Sequence, residues 1–424
     1  MVDDIALSQP FIEGRGETYC RGCLGEILFS ALDLGLLPIA NELQLIADNE
    51  IEVFPLHLRV CNTCGLGQVG DVVTPQRIFH DYRYLSSMSS TFLKHASDFV
   101  KNFLDNNNFS STDWVLEIAS NDGYLLKNFA SFGITSVGVE PAKNVSEISR
   151  KYEINIINDF FTLKLATEIF NKYGFPKLII ANNVMAHVPD LRDFIQGLSY
   201  LCGPETQISI ENPSLANILV DMQFDTIYHE HYSYLSATSV QKIAKTNGLK
   251  LVKVEKLNIH GGSNRYWLRS ASSKIKVDES VENTILAEAK IFLFESQEWE
   301  NYSLKVSHIL NSFQVWLLEG RRKGLKIYGY GAAAKASTLL NSVYADSNLI
   351  KAVADVSLEK QKRYIPVNGI KIISPEELAA EAPTDVVIFP WNIKNEIAKY
   401  LQENLGKGVR LWSVIPSLQE VKIE

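Results

Sequence analysis

Residues 115–126, VLEIASNDGYLL, constrain the fold of this chain more than any other stretch. Apolar residues run into Glu117, small residues follow, and Asn121-Asp122-Gly123 leads into Tyr124-Leu125-Leu126. That order predicts a buried strand, a tight polar turn and the first turn of a helix. Gly123 lets the backbone take a positive φ or approach a ligand closely. Free amides at a helix start suit a polar or anionic group. A second strand, Ser136-Val137-Gly138-Val139, runs into Glu140, where an acid can accept both hydroxyls of a ribose. Glu117, Ala119, Asn121, Asp122, Gly123 and Glu140 are therefore candidates for holding an adenosyl ligand. The plain alternative is an ordinary strand-turn-helix with an acidic surface residue.

The alternation continues. Strand patterns fall at 114–119, 135–139, 154–157, 177–182 and 207–211 with helical patterns between them, which predicts a doubly wound parallel sheet within residues 81–275. It closes on two strand patterns, 251–257 and 264–269, joined by the Gly-rich turn HGGS. A terminal antiparallel hairpin on a parallel sheet resembles the methyltransferases that use S-adenosylmethionine. In such a sheet Asp159, after the third strand, meets the adenine amine and Asn182, after the fourth, lines the pocket.

Four of the five cysteines are paired, Cys20 and Cys23 in CRGC, Cys61 and Cys64 in CNTC. Two such knuckles present four thiolates to one tetrahedral Zn²⁺ and leave no open position, so the ion is expected to be structural. The insert between them exceeds the roughly 15–20 residues of the common spacing and is long enough for a hairpin. A disulfide is the alternative. Residues 1–80 form this zinc-binding unit.

Residues 276–322 are charged and lack Gly and Pro until Gly320, which predicts a helical connector. A second α/β unit fills 323–424. Its strand Leu325-Lys326-Ile327-Tyr328 meets Gly329-Tyr330-Gly331 and then AAAKAS, a Gly-rich turn into a helix. Lys335, one helical turn in, can reach a phosphate. The whole is an α/β chain with a Rossmann-like central sheet, a small zinc domain before it and a second Rossmann-like domain after it.

A net charge of −8 argues against a nucleic-acid partner, which needs clustered Lys and Arg. No apolar run reaches the roughly 20 residues that span a bilayer, and the N-terminal residues lack a signal-peptide pattern. The expectation is a cytoplasmic monomer without a membrane partner.

The densest chemistry is FDTIYHEHYSY, residues 224–234, after the fifth strand on the edge where ligands bind in such sheets. His187, after the fourth strand, opens on the same edge. HEH lacks the i, i+4 spacing of a helical zinc pair. His231 beside Glu230 suits general acid–base work, and His229 a buried structural role.

CRGC, CNTC, DYRYLSSMSS, LEIASNDGYLL, GVEP, AHVPD, FDTIYHEHYSYLS, HGGSNRYWL, GYGAAAKASTLLN, DVSLEKQKRYIP and FPWNIKNEI stand in the order of the sugar carbon-3 methyltransferases. The chain resembles that family over its whole length. The resemblance implies a class I methyltransferase sheet between a zinc domain and a C-terminal Rossmann-like domain. It also implies S-adenosylmethionine as methyl donor and a nucleotide-linked 4-keto-deoxy sugar, most commonly on thymidine diphosphate, as acceptor. It makes His231 and Glu230 the catalytic His and Glu, with Tyr228, His187 and Tyr82 beside them. Tyr84 is only two residues from Tyr82 and shares the substrate-binding expectation with Ser263, Arg265, Tyr330, Lys335, Trp391 and Asn392. Ala119 departs from the family, which commonly has Gly there, and Ala332-Ala333-Ala334 replaces a turn that often contains Pro.

The implied chemistry fits these side chains. Losing a proton next to a ketone gives an enolate, which needs a positioned base and stabilisation of the oxyanion. His231 is the expected base, with Glu230 orienting it and favouring its charged form. Tyr228, Tyr82 and His187 are expected to donate to the carbonyl oxygen or hold the sugar. Two other readings stay open. One is an NAD-dependent nucleotide-sugar dehydrogenase or epimerase with NAD on GYGAAAK; the other is a zinc-knuckle methyltransferase of nucleic acid.

Overall fold

The structure is a computed structural model that describes residues 16–422 except 27, 48–49, 80–84, 89, 153 and 407. Among the described residues the strands form three sheets.

The central sheet has seven strands: β4 (Trp114–Ile118), β5 (Thr135–Val139), β6 (Asn155–Ile157), β7 (Leu178–Asn182), β8 (Gln207–Pro213), β10 (Leu249–Leu257) and β11 (Ser263–Ser270). Their order is β10-β11-β8-β7-β4-β5-β6, with β4 to β8 parallel and β11 antiparallel to both neighbours. This is the class I methyltransferase sheet that the resemblance implies. Each predicted strand is present within two residues of its expected ends.

Burial on both faces explains why the parallel strands read as continuous apolar runs. In β4, Trp114, Leu116 and Ile118 join one core layer with Ile179, Ala181, Ile208 and Ile210. Val115 faces the other way, against Ala96, Phe99, Val100 and Phe103 of the helix Ser90–Asn106. Glu117 alternates with Leu116 and so falls on the Val115 side, toward that helix.

The first sheet is β1 (Leu28–Leu37), β2 (Phe54–Cys61) and β3 (Gly67–Gln68), joined by a distant strand, β9 (Ser233–Tyr234). Strand β9 belongs to the reactive segment, and it pairs Tyr234 with Gly67 and Ser233 with Gln68. A sequence division at residue 80 cannot show this, because the pairing is set by tertiary packing.

The connector is two helices, Glu279–Lys290 and Ser296–Arg322. The second buries Trp299, Tyr302, Val306, Ile309, Phe313 and Leu317, a three-and-four spacing that makes one apolar stripe. That stripe lies in a core holding Leu32 and Leu58 of the first sheet and Leu339 and Val353 of the C-terminal unit. The C-terminal sheet runs β14-β13-β12-β15-β16-β17, from β12 (Ile327–Tyr330), β13 (Ala352–Ala354), β14 (Lys371–Ile373), β15 (Asp385–Ile388), β16 (Arg410–Ser413) and β17 (Gln419–Glu420). It is parallel except at β17. No described helix is long and apolar enough to cross a membrane.

Candidate active site

The sulfur atoms of Cys20, Cys23, Cys61 and Cys64 all lie within 4.8 Å of one another. Zn–S bonds of about 2.3 Å put tetrahedral ligands roughly 3.8 Å apart, so the four thiols fit one zinc ion as they stand. Three of the four are buried. Just beside them, the Arg21 guanidinium pairs with Asp71 at 2.8 Å, both side chains fully buried, and lies over the Tyr232 ring at 5.3 Å. The zinc unit is thereby fastened to the reactive segment.

At the carboxyl edge of the central sheet, the turn after β4 is shaped by positive φ at Ala119 (55°), Asn121 (51°) and Gly123 (78°). The value at Ala119 is one that glycine adopts more readily, since alanine is strained in the left-handed region. A Cβ on Gly138 would lie 2.4 Å from the Ser120 hydroxyl, so β5 must approach the turn with glycine. Glu140 closes the turn: Asn121 N donates to Oε2 and Ala142 N to Oε1, both at 2.9 Å. Burial raises the Glu140 pKa to about 7. Glu117 is pushed well up by burial and then by Asp122 and Glu140. Glu117 Oε2, Asp122 Oδ1 and Asn182 Oδ1 are buried without a hydrogen-bond partner among the described residues. Such orphaned acceptors are uncommon in a folded core and fit a site that receives a polar ligand. Asp159 is half-buried and accepts from Phe160 N at 2.7 Å.

The reactive loop is a turn closed by His231 N donating to the Tyr228 carbonyl at 3.0 Å. The turn brings Tyr228 and His231 together: their rings are 4.2 Å apart, and the Tyr228 hydroxyl is 3.1 Å from His231 Nε2. The His187 ring is 4.6 Å from that of His231, edge to face, and its Nδ1 lies 2.7 Å from the Glu230 carbonyl oxygen. Burial, and then the nearby His187, hold the His231 pKa well below the ordinary histidine value. His187 is lowered to about 4 by burial.

Glu230 does not orient His231. Neighbours in the turn project differently, and the Glu230 carboxylate turns to Asn41, accepting from its backbone N and its Nδ2 at 3.1 Å each. The ring is therefore kept neutral by its surroundings rather than charged by a carboxylate partner, and neutral imidazole is the form a base requires. Tyr82 and Tyr84 lie outside the described residues.

The C-terminal unit supplies the facing wall. The Lys335 ammonium sits 4.0 Å over the Trp391 ring and donates to Asn392 Oδ1 at 3.1 Å. Trp391 Nε1 donates to Asp225 Oδ2 of the reactive loop at 2.8 Å. Three other expected substrate residues are turned elsewhere. Ser263 is buried and donates to the Ile259 carbonyl at 3.3 Å. The Arg265 guanidinium is neutralised by Glu211 at 2.7 Å and Glu255 at 3.2 Å. Tyr330, the last residue of β12, is in the apolar core with Ile373, Ile388 and Ile397. In each case strand alternation points the side chain into the fold, which a motif match does not register.

Three family models match the chain in succession: "Putative zinc binding domain" over residues 20–79, "Methyltransferase domain" over 89–254 and "C-methyltransferase C-terminal domain" over 258–416. The C-methyltransferase NovU of Streptomyces niveus is 28% identical over 409 residues, 96% of this chain and 97% of that protein. In this order of domains the chain is similar to the S-adenosylmethionine-dependent C-methyltransferases. Among solved structures it is similar to the magnesium protoporphyrin IX methyltransferase of Synechocystis, 15% identical over 46% of this chain and 89% of that one, at a TM-score of 0.33. A methyltransferase of Clostridium acetobutylicum is 13% identical over 46% of this chain and 96% of that one, at 0.35. Those overlaps are confined to less than half of this chain.

Three residues near this edge of the sheet were not singled out by pattern. His95 Nε2 is 3.0 Å from Glu211 and 3.2 Å from Arg265. Asp225, buried, has its pKa raised to about 6 by burial against the opposing charge of Lys335. His260 stands in the β10–β11 turn. Only Asp225 carried a sequence signal, as a carboxylate inside the reactive run.

Proposed function

We propose that this C-methyltransferase moves the methyl group of S-adenosylmethionine to carbon 3 of a nucleotide-linked 4-keto-deoxy sugar, with His231 as the base. The observation that carries this reading is the half-buried pair of neutral His231 and Tyr228, whose hydroxyl meets Nε2 at 3.1 Å at the carboxyl edge of the sheet. The Tyr228 hydroxyl meets the nitrogen that is to take the proton. The carbonyl oxygen of an incoming ketone can share that hydroxyl, draws it more strongly as the enolate charge develops, and so frees His231 Nε2.

The steps then balance. His231 Nε2 takes the proton from carbon 3, and the electron pair of the broken C–H bond becomes the enolate. Carbon 3 attacks the sulfonium methyl, the C–S bond breaks, and S-adenosylhomocysteine leaves as a neutral thioether. The ketone is restored, and the imidazolium returns its proton to solvent. Oriented donors to the oxyanion are each worth on the order of 10²–10³ in rate. Tyr228 and His187 fill that role here.

Glu140 is the group proposed to hold the adenosyl ribose: a carboxylate keeps accepting capacity beyond the two backbone amides it already serves. Asp159 is proposed for the adenine amine. Lys335, with Trp391 and Asn392, is proposed for the diphosphate, and this supports a nucleotide sugar rather than a free one. Thymidine diphosphate is the proposed carrier. Mass spectrometry of S-adenosylmethionine with a panel of 4-keto nucleotide sugars tests the reading. A product heavier by one CH₂ that keeps its ketone is expected, and methylation on oxygen or nitrogen would contradict it.

A further inference from the structure

His260 opens the turn between β10 and β11 with φ 53°, followed by Gly261 at 83° and Gly262 at 107°. Histidine tolerates the left-handed region better than most residues, yet the conformation is still strained and persists only where neighbours impose it. Gln223 Nε2 donates to the Gly261 carbonyl at 2.7 Å, and Gly262 N donates to the Ile259 carbonyl at 2.8 Å. A Cβ on Gly261 would come within 2.3 Å of the Trp391 ring, so the turn is also clamped by the C-terminal unit.

The clamp places the imidazole between the two halves of the site. Its ring centroid is 4.7 Å from that of Phe92, and Phe92 is 6.2 Å from Tyr124, the residue after Gly123 in the cofactor turn. From the opposite wall the Lys335 charge acts on the ring, and Glu211 and His95 act on it from the sheet edge. Burial first, and then Lys335, lower its pKa to about 4, so the ring is neutral near pH 7. Nε2 is buried and has no hydrogen-bond partner among the described residues. A buried polar atom left unpaired is destabilising, and a ligand oxygen would relieve it.

We propose that His260 is a further residue of the acceptor site. Its Nε2 hydrogen-bonds an oxygen of the sugar and turns carbon 3 toward the sulfonium methyl. This rests on the proposed function, since the oxygen belongs to the acceptor named there. A neutral ring between cofactor and acceptor can fix orientation without competing with His231 for the proton.

Two variants separate contact from turn geometry. His260→Gly keeps the positive φ and removes the ring; His260→Asn keeps the positive φ and restores a short polar group. His260→Gly is expected to melt with the wild type and to bind S-adenosylhomocysteine equally well in calorimetry. Its kcat/KM for the 4-keto nucleotide sugar should fall by about 100-fold, the worth of one oriented hydrogen bond in a closed site. His260→Asn should recover part of that loss. Near wild-type kcat/KM in His260→Gly overturns the assignment, as does an activity loss matched by lost cofactor affinity and melting temperature. A wild type that methylates none of the nucleotide sugars defeats the proposed function itself, and His260 falls with it.

Discussion

Asn41 donates both its backbone N–H and its side-chain amide to the same oxygen of Glu230, each at 3.1 Å, across 189 residues of sequence. The unit that carries the four cysteines thus grips the reactive loop at the residue whose backbone carbonyl meets His187. A hydrogen bond to a charged group is worth about 1.5–3 kcal/mol when one partner is removed from a buried pair. Asn41→Ala is therefore expected to lower kcat about tenfold while leaving S-adenosylmethionine affinity intact. Asn41→Asp, which sets a second carboxyl against a buried one, should be worse. Steady-state rates beside a direct cofactor titration check this, and equal loss in both would show a general folding defect.

Zinc should be present at one ion per chain and removable only with damage. Gly67 and Gln68, just after the second cysteine pair, carry β9 of the reactive segment. Cys61→Ser is expected to lower the melting temperature, with activity following the folded fraction. Elemental analysis that finds no zinc in purified protein would refute the metal assignment.

The two ligands should be separable by mutation. Glu140→Ala is expected to weaken S-adenosylmethionine by about 1.5–3 kcal/mol, the usual worth of hydrogen bonds to a charged group. Lys335→Ala should raise KM for the sugar nucleotide and barely move the cofactor. The reverse pattern in paired titrations would mean that the ligands are exchanged.

Buried neutral histidines make the protein sensitive to acid. His229 sits against the Phe54 carbonyl, and burial lowers its pKa from 6.5 to about 4. Between those values the unfolded chain binds a proton that the native state does not. The stability this residue contributes is present above pH 6.5 and lost as pH falls toward 4, on the order of 3 kcal/mol in all. The stability gap between wild type and His229→Gln, followed by denaturant titration, should narrow across that window. A gap that widens on acidification has the wrong sign for this account.

The central sheet was legible because its strands are apolar runs punctuated by turn residues, and VLEIASNDGYLL carries that grammar in twelve letters. The cysteine cluster was legible because paired spacing survives any intervening loop. Side-chain direction was not. Glu230 and His231 read as a couple because they are adjacent, whereas a turn sends one to Asn41 and the other to Tyr228. Arg265 reads as a free cation until β8 and β10 bring Glu211 and Glu255 beside it. His260 reads as part of a glycine turn, since its neighbours Phe92 and Lys335 come from distant segments.

His231 is proposed to remove the proton from carbon 3. The most direct measurement is the single-turnover methylation rate of His231→Gln, taken after calorimetry has shown that the variant still binds S-adenosylmethionine and the 4-keto nucleotide sugar. Both ligands are expected to bind and methylation to be lost, together with any exchange of the carbon-3 hydrogen in deuterated water that the wild type shows. Methylation at a near wild-type rate would contradict it and move the base to His187, 4.6 Å away.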